Sequence, residues 1–220
     1  MESLFVSFCA FIQLLRPTLT IPTRRPFPSH EEVKKSFERF DLIKDGIIQQ
    51  APEKFMLVKF PNNSTLELGN LMTFDEAWEL PGFIFWDADP GCLHTLIVLN
   101  ADHSNDKFPH VRQYLQWLVG NIPEARVENG RILSSYLMPI PPPFQYGVHR
   151  LVFLAYKQPT GLIEFDEPFM PALPLPKTRL NFTVDRLVKK YNLIGPVAGN
   201  FYRIDWGKPI NHLKYEVEGG

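Results

Sequence analysis

Residues 134–158 read SSYLMPIPPPFQYGVHRLVFLAYKQ. Proline fixes φ and lacks the amide hydrogen a sheet ladder needs, so Pro139, Pro141, Pro142 and Pro143 mark stiff, extended backbone outside any sheet. The chain then meets His149 and passes straight into an apolar run. Residues 151–156 have the β-branched and aromatic composition, and the length, of a strand. A rigid rim that delivers a titratable histidine to the mouth of a buried strand is the outline of a binding site.

Working outward, the segments on either side read as further strands. Residues 94–99 are almost wholly apolar, the signature of a central strand covered on both faces. Residues 113–119 follow, with Tyr114, Gln116 and Leu118 predicted on one face and Leu115, Trp117 and Val119 on the other. Residues 55–60, 65–68, 83–86 and 201–206 are shorter β segments separated by turn chemistry. Helix is expected in three places. Ser29 and Glu32 form a capping box before an apolar stripe of Val33, Phe37 and Phe40. One turn is expected near residues 75–78, and residues 184–191 carry Leu187, Val188 and Tyr191 at helical spacing, stopped by Gly195 and Pro196. Short strands with helix confined to the periphery predict a mainly β fold, a two-sheet antiparallel sandwich with an N-terminal and a C-terminal peripheral helix.

Composition narrows the function. The chain of 220 residues has a formal net charge of −1, which offers no electrostatic footprint for nucleic acid. Its 21 prolines and 18 phenylalanines favour strands and ordered loops over a helical bundle. Cys9 and Cys92 are the only cysteines, too few for a disulfide framework or a thiolate metal site. His103 and His110, beside Asp102 and Asp106, lie at irregular spacing and read as solvated loop, so no metal or cofactor is expected. No G-x-S-x-G nucleophile motif is present, and catalysis is not expected. Residues 1–28 are set apart as a targeting segment or a disordered extension, residues 29–210 as the domain and 211–220 as a tail. The apolar residues 4–15 suit a secretory signal, and Arg16, Arg24 and Arg25 suit a mitochondrial presequence. Cytoplasmic, secreted and mitochondrial locations therefore stay open. Asn62, Asn63 and Asn181 begin glycosylation patterns that matter only after secretion.

Several stretches, in order, resemble the phosphatidylethanolamine-binding proteins, also called Raf-kinase-inhibitor-like proteins. They are LGNLMT at 68–73, WDADPG at 86–91, TLIVLNAD at 95–102, WLVGNIP at 117–123, PPP at 141–143 with GVHRLVFLAYKQ at 147–158, and KKYNLIGPVAGNFY at 189–202. The resemblance implies a Greek-key β-sandwich and a small surface cavity for phosphate or a phospholipid headgroup, in a monomer that can also regulate protein partners. Its ligand-binding positions fall on Asn100, Asp102, Gln116, Pro142, Pro143, His149 and Tyr202. Several of the family's usual features are altered: Asn100 stands where the first acid is usual, Ala101 and Ser104 where prolines are usual, Gln116 where a histidine is usual, Leu151 where an aromatic is usual, and Ile140 and Pro141 where a glycine usually opens the proline turn. Loss of that carboxylate predicts a less readily charged His149 and a weaker or altered anion preference. Stretches such as YLMPIPPP and NIPEARVENG also resemble the domain of this fold in mitochondrial ribosomal protein L38, and a structural role in the large subunit is the alternative expectation.

Overall fold

A computed structural model describes residues 27–103, 113–140, 146–173 and 177–207. The proposed targeting segment apart from its last two residues, the tail, Cys9, Asp106, His110, Pro142 and Pro143 lie outside the described residues. Ser29 caps α1 (His30–Arg39): its hydroxyl accepts from the Glu32 amide, and the Glu32 carboxylate accepts from the Ser29 amide at 2.8 Å. That reciprocal cap contributes about 1 kcal/mol. The chain continues through β1 (Lys54–Phe55), β2 (Leu57–Lys59), α2 (Phe74–Ala77), β3 (Phe83–Phe85), β4 (Leu93–Asn100), β5 (Tyr114–Pro123), β6 (Arg131–Ser134), β7 (Val148–Lys157), α3 (Val184–Tyr191) and β8 (Ile194–Asp205).

Six strands form one sheet in the order β1-β8-β7-β4-β5-β6, and β2 pairs with β3 in a separate two-stranded sheet. The expected all-antiparallel arrangement is corrected at one edge, where β1 runs parallel to β8 with Lys54 opposite Ala198. β1 is only two residues long and enters from the α1 side, so a parallel edge pair costs no long crossover within the sheet. β8 is also longer than the sequence suggests. It begins before the cis Gly195–Pro196 bond rather than after it.

Both faces of the central strands β4 and β7 are buried, which is why they read as continuous apolar runs. On one face Ile97, Leu99, Val152 and Leu154 pack with Val33 and Phe37 of α1 and Val184 and Leu187 of α3. On the other, Leu96, Val98, Phe153 and Tyr202 pack with Val58 of β2 and with Trp86 just after β3. The predicted alternation along β5 fails at one point. Val98 pairs with Trp117 but Leu99 pairs with Leu115, so Gln116 is the extra residue of a bulge. Leu115 and Leu118 consequently join the same core cluster, three residues apart.

Candidate functional site

Residues from four strands meet in one row on the face that carries Trp86. Asn100, the last residue of β4, is opposite Tyr114 of β5 on one side and Leu151 of β7 on the other. Leu151 is in turn opposite Tyr202 of β8. Directly opposed residues in an antiparallel pair share a face, so Tyr114, Asn100, Leu151 and Tyr202 line up across the sheet. His149 lies two positions from Leu151, on the same face and closer to the strand end. His149 is the second residue of β7, paired with Ile204.

Asn100 governs the state of His149. The Asn100 side-chain oxygen accepts from the Asp102 amide at 2.9 Å, which leaves its Nδ2 group directed at His149 Nδ1, 3.0 Å away. An amide NH2 can only donate, so Nδ1 must accept and the ring proton sits on Nε2. Burial holds the His149 ring below the ordinary histidine range, opposed by the nearby Asp102 charge. A protonated Nδ1 would also face the Asn100 donor with no acceptor available. His149 is therefore a neutral, Nε2-protonated imidazole at neutral pH.

His103 joins this cluster although its spacing marked it as solvated loop. Its ring is only partly exposed and lies over Tyr114, with ring centres 4.6 Å apart. Burial, reinforced by the neighbouring His149, lowers its pKa to about 4. The signal that points to His103 is tertiary: Tyr114 is placed beside Asn100 by strand pairing, and only then does the loop after β4 have an aromatic surface to cover.

Asp102 faces other partners. Arg150 grips both its carboxylate oxygens, through Nε at 2.8 Å and Nη2 at 2.6 Å, and the same guanidinium bonds Asp45 at 2.8 Å and the Phe40 carbonyl at 2.6 Å. This ion-pair group ties the strand end to the segment after α1. Tyr202 is almost fully buried between Phe60 and Phe153, and burial pushes its hydroxyl well above the ordinary range. Gln116 is buried in its bulge, and its Oε1 has no hydrogen-bond partner among the described residues. Among the described residues its side chain makes no bond to Asn100 or His149. Of the sequence-derived positions, then, Asn100 and His149 touch, Tyr202 shares their face, Asp102 is taken up by Arg150, and Gln116 is held apart.

Sequence reasoning also missed Arg179, which lies beneath β5 with no solvent exposure. Its guanidinium donates to five carbonyl groups, those of Leu115, Gln116, Ser135, Met170 and Pro171, at 2.8–3.1 Å. Two of these acceptors belong to the β5 bulge, so Arg179 secures the irregular backbone next to Tyr114. No carboxylate pairs with it among the described residues, and its charge reaches Tyr114, where it opposes the rise that burial imposes on the phenol. Nothing in its neighbourhood of the sequence distinguishes this arginine from a surface one.

No family profile matches the chain. Over 189 residues it is 30% identical to a Drosophila melanogaster protein named "Putative odorant-binding protein A5", covering 86% of this chain and 88% of that one. It is 32% identical to the "26 kDa secreted antigen" of Toxocara canis over 158 residues, 71% of this chain and 58% of that protein. Among solved structures, a carboxypeptidase Y inhibitor bound to its proteinase superposes with a TM-score of 0.61 at 19% identity, over 80% of this chain and 96% of that one. A phosphatidylethanolamine-binding protein from Plasmodium vivax superposes with a TM-score of 0.57 at 15% identity, over 81% and 98%.

Proposed function

Since this chain belongs to the phosphatidylethanolamine-binding protein family, as a divergent member, we propose that it is a binding protein that takes a small anion at the His149 end of the sheet. The anion is phosphate, free or as the headgroup of a phospholipid. The observation that carries this reading is the tautomer imposed by Asn100: His149 keeps an Nε2–H donor with its other nitrogen already satisfied. A neutral donor suits an anion without the desolvation cost of a second buried charge. Arg179 adds positive potential at Tyr114, the register partner of Asn100, since no described carboxylate pairs with its cation. His103, partly exposed over Tyr114, lies where a ligand approaches from solvent.

Acid strengthens this site. An anion beside His103 opposes the burial that lowers that ring's pKa to about 4, so binding favours the charged ring and tightens as pH falls. Titration with inorganic phosphate and with phosphoethanolamine, followed through the ring resonances of His103 and His149, tests the reading. Saturable shifts at both rings, tighter at pH 5.5 than at pH 7.5, are expected. Vesicles containing phosphatidylethanolamine then distinguish a lipid headgroup from the free ion. Absence of a saturable shift at either pH, at tens of millimolar phosphate, overturns the proposal.

A further inference from the structure

The two-stranded sheet is too narrow to cover the face it packs on. β2 and the residues after β3 bury against Leu96, Val98, Phe153 and Tyr202, which belong to β4, β7 and β8. The far strands β5 and β6 extend beyond that cover and leave an apolar trough of about 650 Å³. Buried Trp86 and Trp117 line its floor with Val127, and exposed Phe83, Phe85 and Ile132 stand along its rim. Phe83 and Ile132 are 51% and 54% exposed, so the trough is open along its length. An open trough cannot enclose the large share of a small molecule's surface that tight binding needs.

One wall of the trough is a strand edge with no partner among the described residues. Leu66 donates to the Val58 carbonyl at 3.1 Å, and Phe60 donates to the Ser64 carbonyl at 2.9 Å. Val58 and Phe60 therefore turn their backbone groups away from β3. By alternation Leu57 and Lys59 bond across to Phe85 and Phe83, their register partners. Ile84, between those two, must point its N–H and C=O outward from the pair, toward the trough. No described strand or loop bonds to it there. A free edge flanked by apolar surface is the geometry that accepts an added strand.

Charge decides what kind of strand. Asp87, Glu124 and Glu128 border the trough against a single guanidinium, Arg126, which is 3.7 Å from Glu124. Asp87 is matched by Lys54 at 3.3 Å, whereas Glu128 has no ion-pair partner among the described residues. The border is acidic over an apolar floor.

We propose that this trough receives an extended peptide segment of alternating apolar and basic residues, added as a third strand at the β3 edge. Apolar side chains of the guest go down onto Trp117 and Val127, basic ones reach the carboxylates, and its backbone bonds Ile84. This surface lies on a different part of the fold from the His149 cluster, and its test does not depend on anion binding.

A capped hexapeptide of alternating lysine and valine is the probe, titrated into the uniformly 15N-labelled full chain. The expected result is saturable binding with a downfield shift of the Ile84 amide proton, weakened on raising salt. Methylating the peptide nitrogens that face β3 removes the donors without touching the protein, and at least a tenfold loss of affinity is expected. Glu128→Lys, an exposed substitution that leaves the fold intact, should weaken binding about threefold. The proposal is overturned if the peptide does not bind at millimolar concentration, if the methylated peptide binds equally well, or if a glutamate–valine hexapeptide binds as tightly as the lysine one.

Discussion

Replacing Asn100 by aspartate reverses the hydrogen-bond logic of the site with almost no change of shape. The new carboxylate keeps one oxygen on the Asp102 amide, as the Asn100 oxygen does now at 2.9 Å, and presents the other to His149 Nδ1 across the present 3.0 Å. Nδ1 must then carry a proton, because two acceptors cannot bond each other. A hydrogen bond between charged groups contributes about 1.5–3 kcal/mol. At about 1.4 kcal/mol per factor of ten, the charged ring is favoured roughly ten- to hundredfold over its present population at any pH. Burial of the new pair opposes part of this gain. The assay is a pH titration of ring nitrogen shifts by NMR for the parent and Asn100→Asp. The parent should show an unprotonated Nδ1 and a protonated Nε2 at pH 7, and the variant should keep both protonated to higher pH. Coincident titration midpoints, or a parent ring already protonated at Nδ1 at pH 7, would refute the assignment.

Two further outcomes follow from the same geometry. His103 and His149 both sit below the 6.5 of an unfolded histidine, His103 at about 4, so the unfolded chain takes up protons first. Their contribution is complete above about pH 6.5 and is lost as pH falls toward 4; for His103 the ceiling is about 3 kcal/mol, reduced to roughly 1–2 kcal/mol by its partial exposure. Urea denaturation at pH 7, 5.5 and 4.5 should show this loss, and His103→Asn should flatten it; equal slopes in parent and variant would remove His103 from the account. Arg150→Met strips the counter-charge from Asp102 and Asp45 in a group whose side chains are 11%, 19% and 28% exposed. A loss of about 2–4 kcal/mol at pH 7 is expected by urea denaturation, and a change below about 0.5 kcal/mol would reduce the group to an ordinary surface pair.

Much of the architecture was legible in local chemistry. Capping of α1 by Ser29 and Glu32, the bounds of α3 at residues 184–191, and burial of β4 on both faces follow from short-range pattern, because caps and periodicity involve neighbours within one or two turns. The motif around His149 singled that residue out, and strand pairing then set it beside Asn100. The bulge at Gln116 was not, because alternation predicts a regular strand. The irregular backbone is held instead by Arg179, which lies more than sixty positions away and bonds the Leu115 and Gln116 carbonyls. Nor could the sequence choose between Asp102 as a ligand contact and Asp102 as an anchor. That depended on Arg150 pointing to the opposite face from His149, a consequence of adjacent residues alternating along β7.

Taken by itself, then, the sequence determined the β class, the capped helices, the buried central strands and the family, all of which rest on contacts or motifs close along the chain. Only the tertiary structure decided the state of the site. It set Asn100 against His149 so that the ring is neutral, laid His103 over Tyr114, buried Arg179 against the β5 bulge with no carboxylate partner among the described residues, and left the β3 edge without a described neighbour. Each of these depends on which strands become neighbours, and strand pairing joins residues whose separation along the chain carries no local signal.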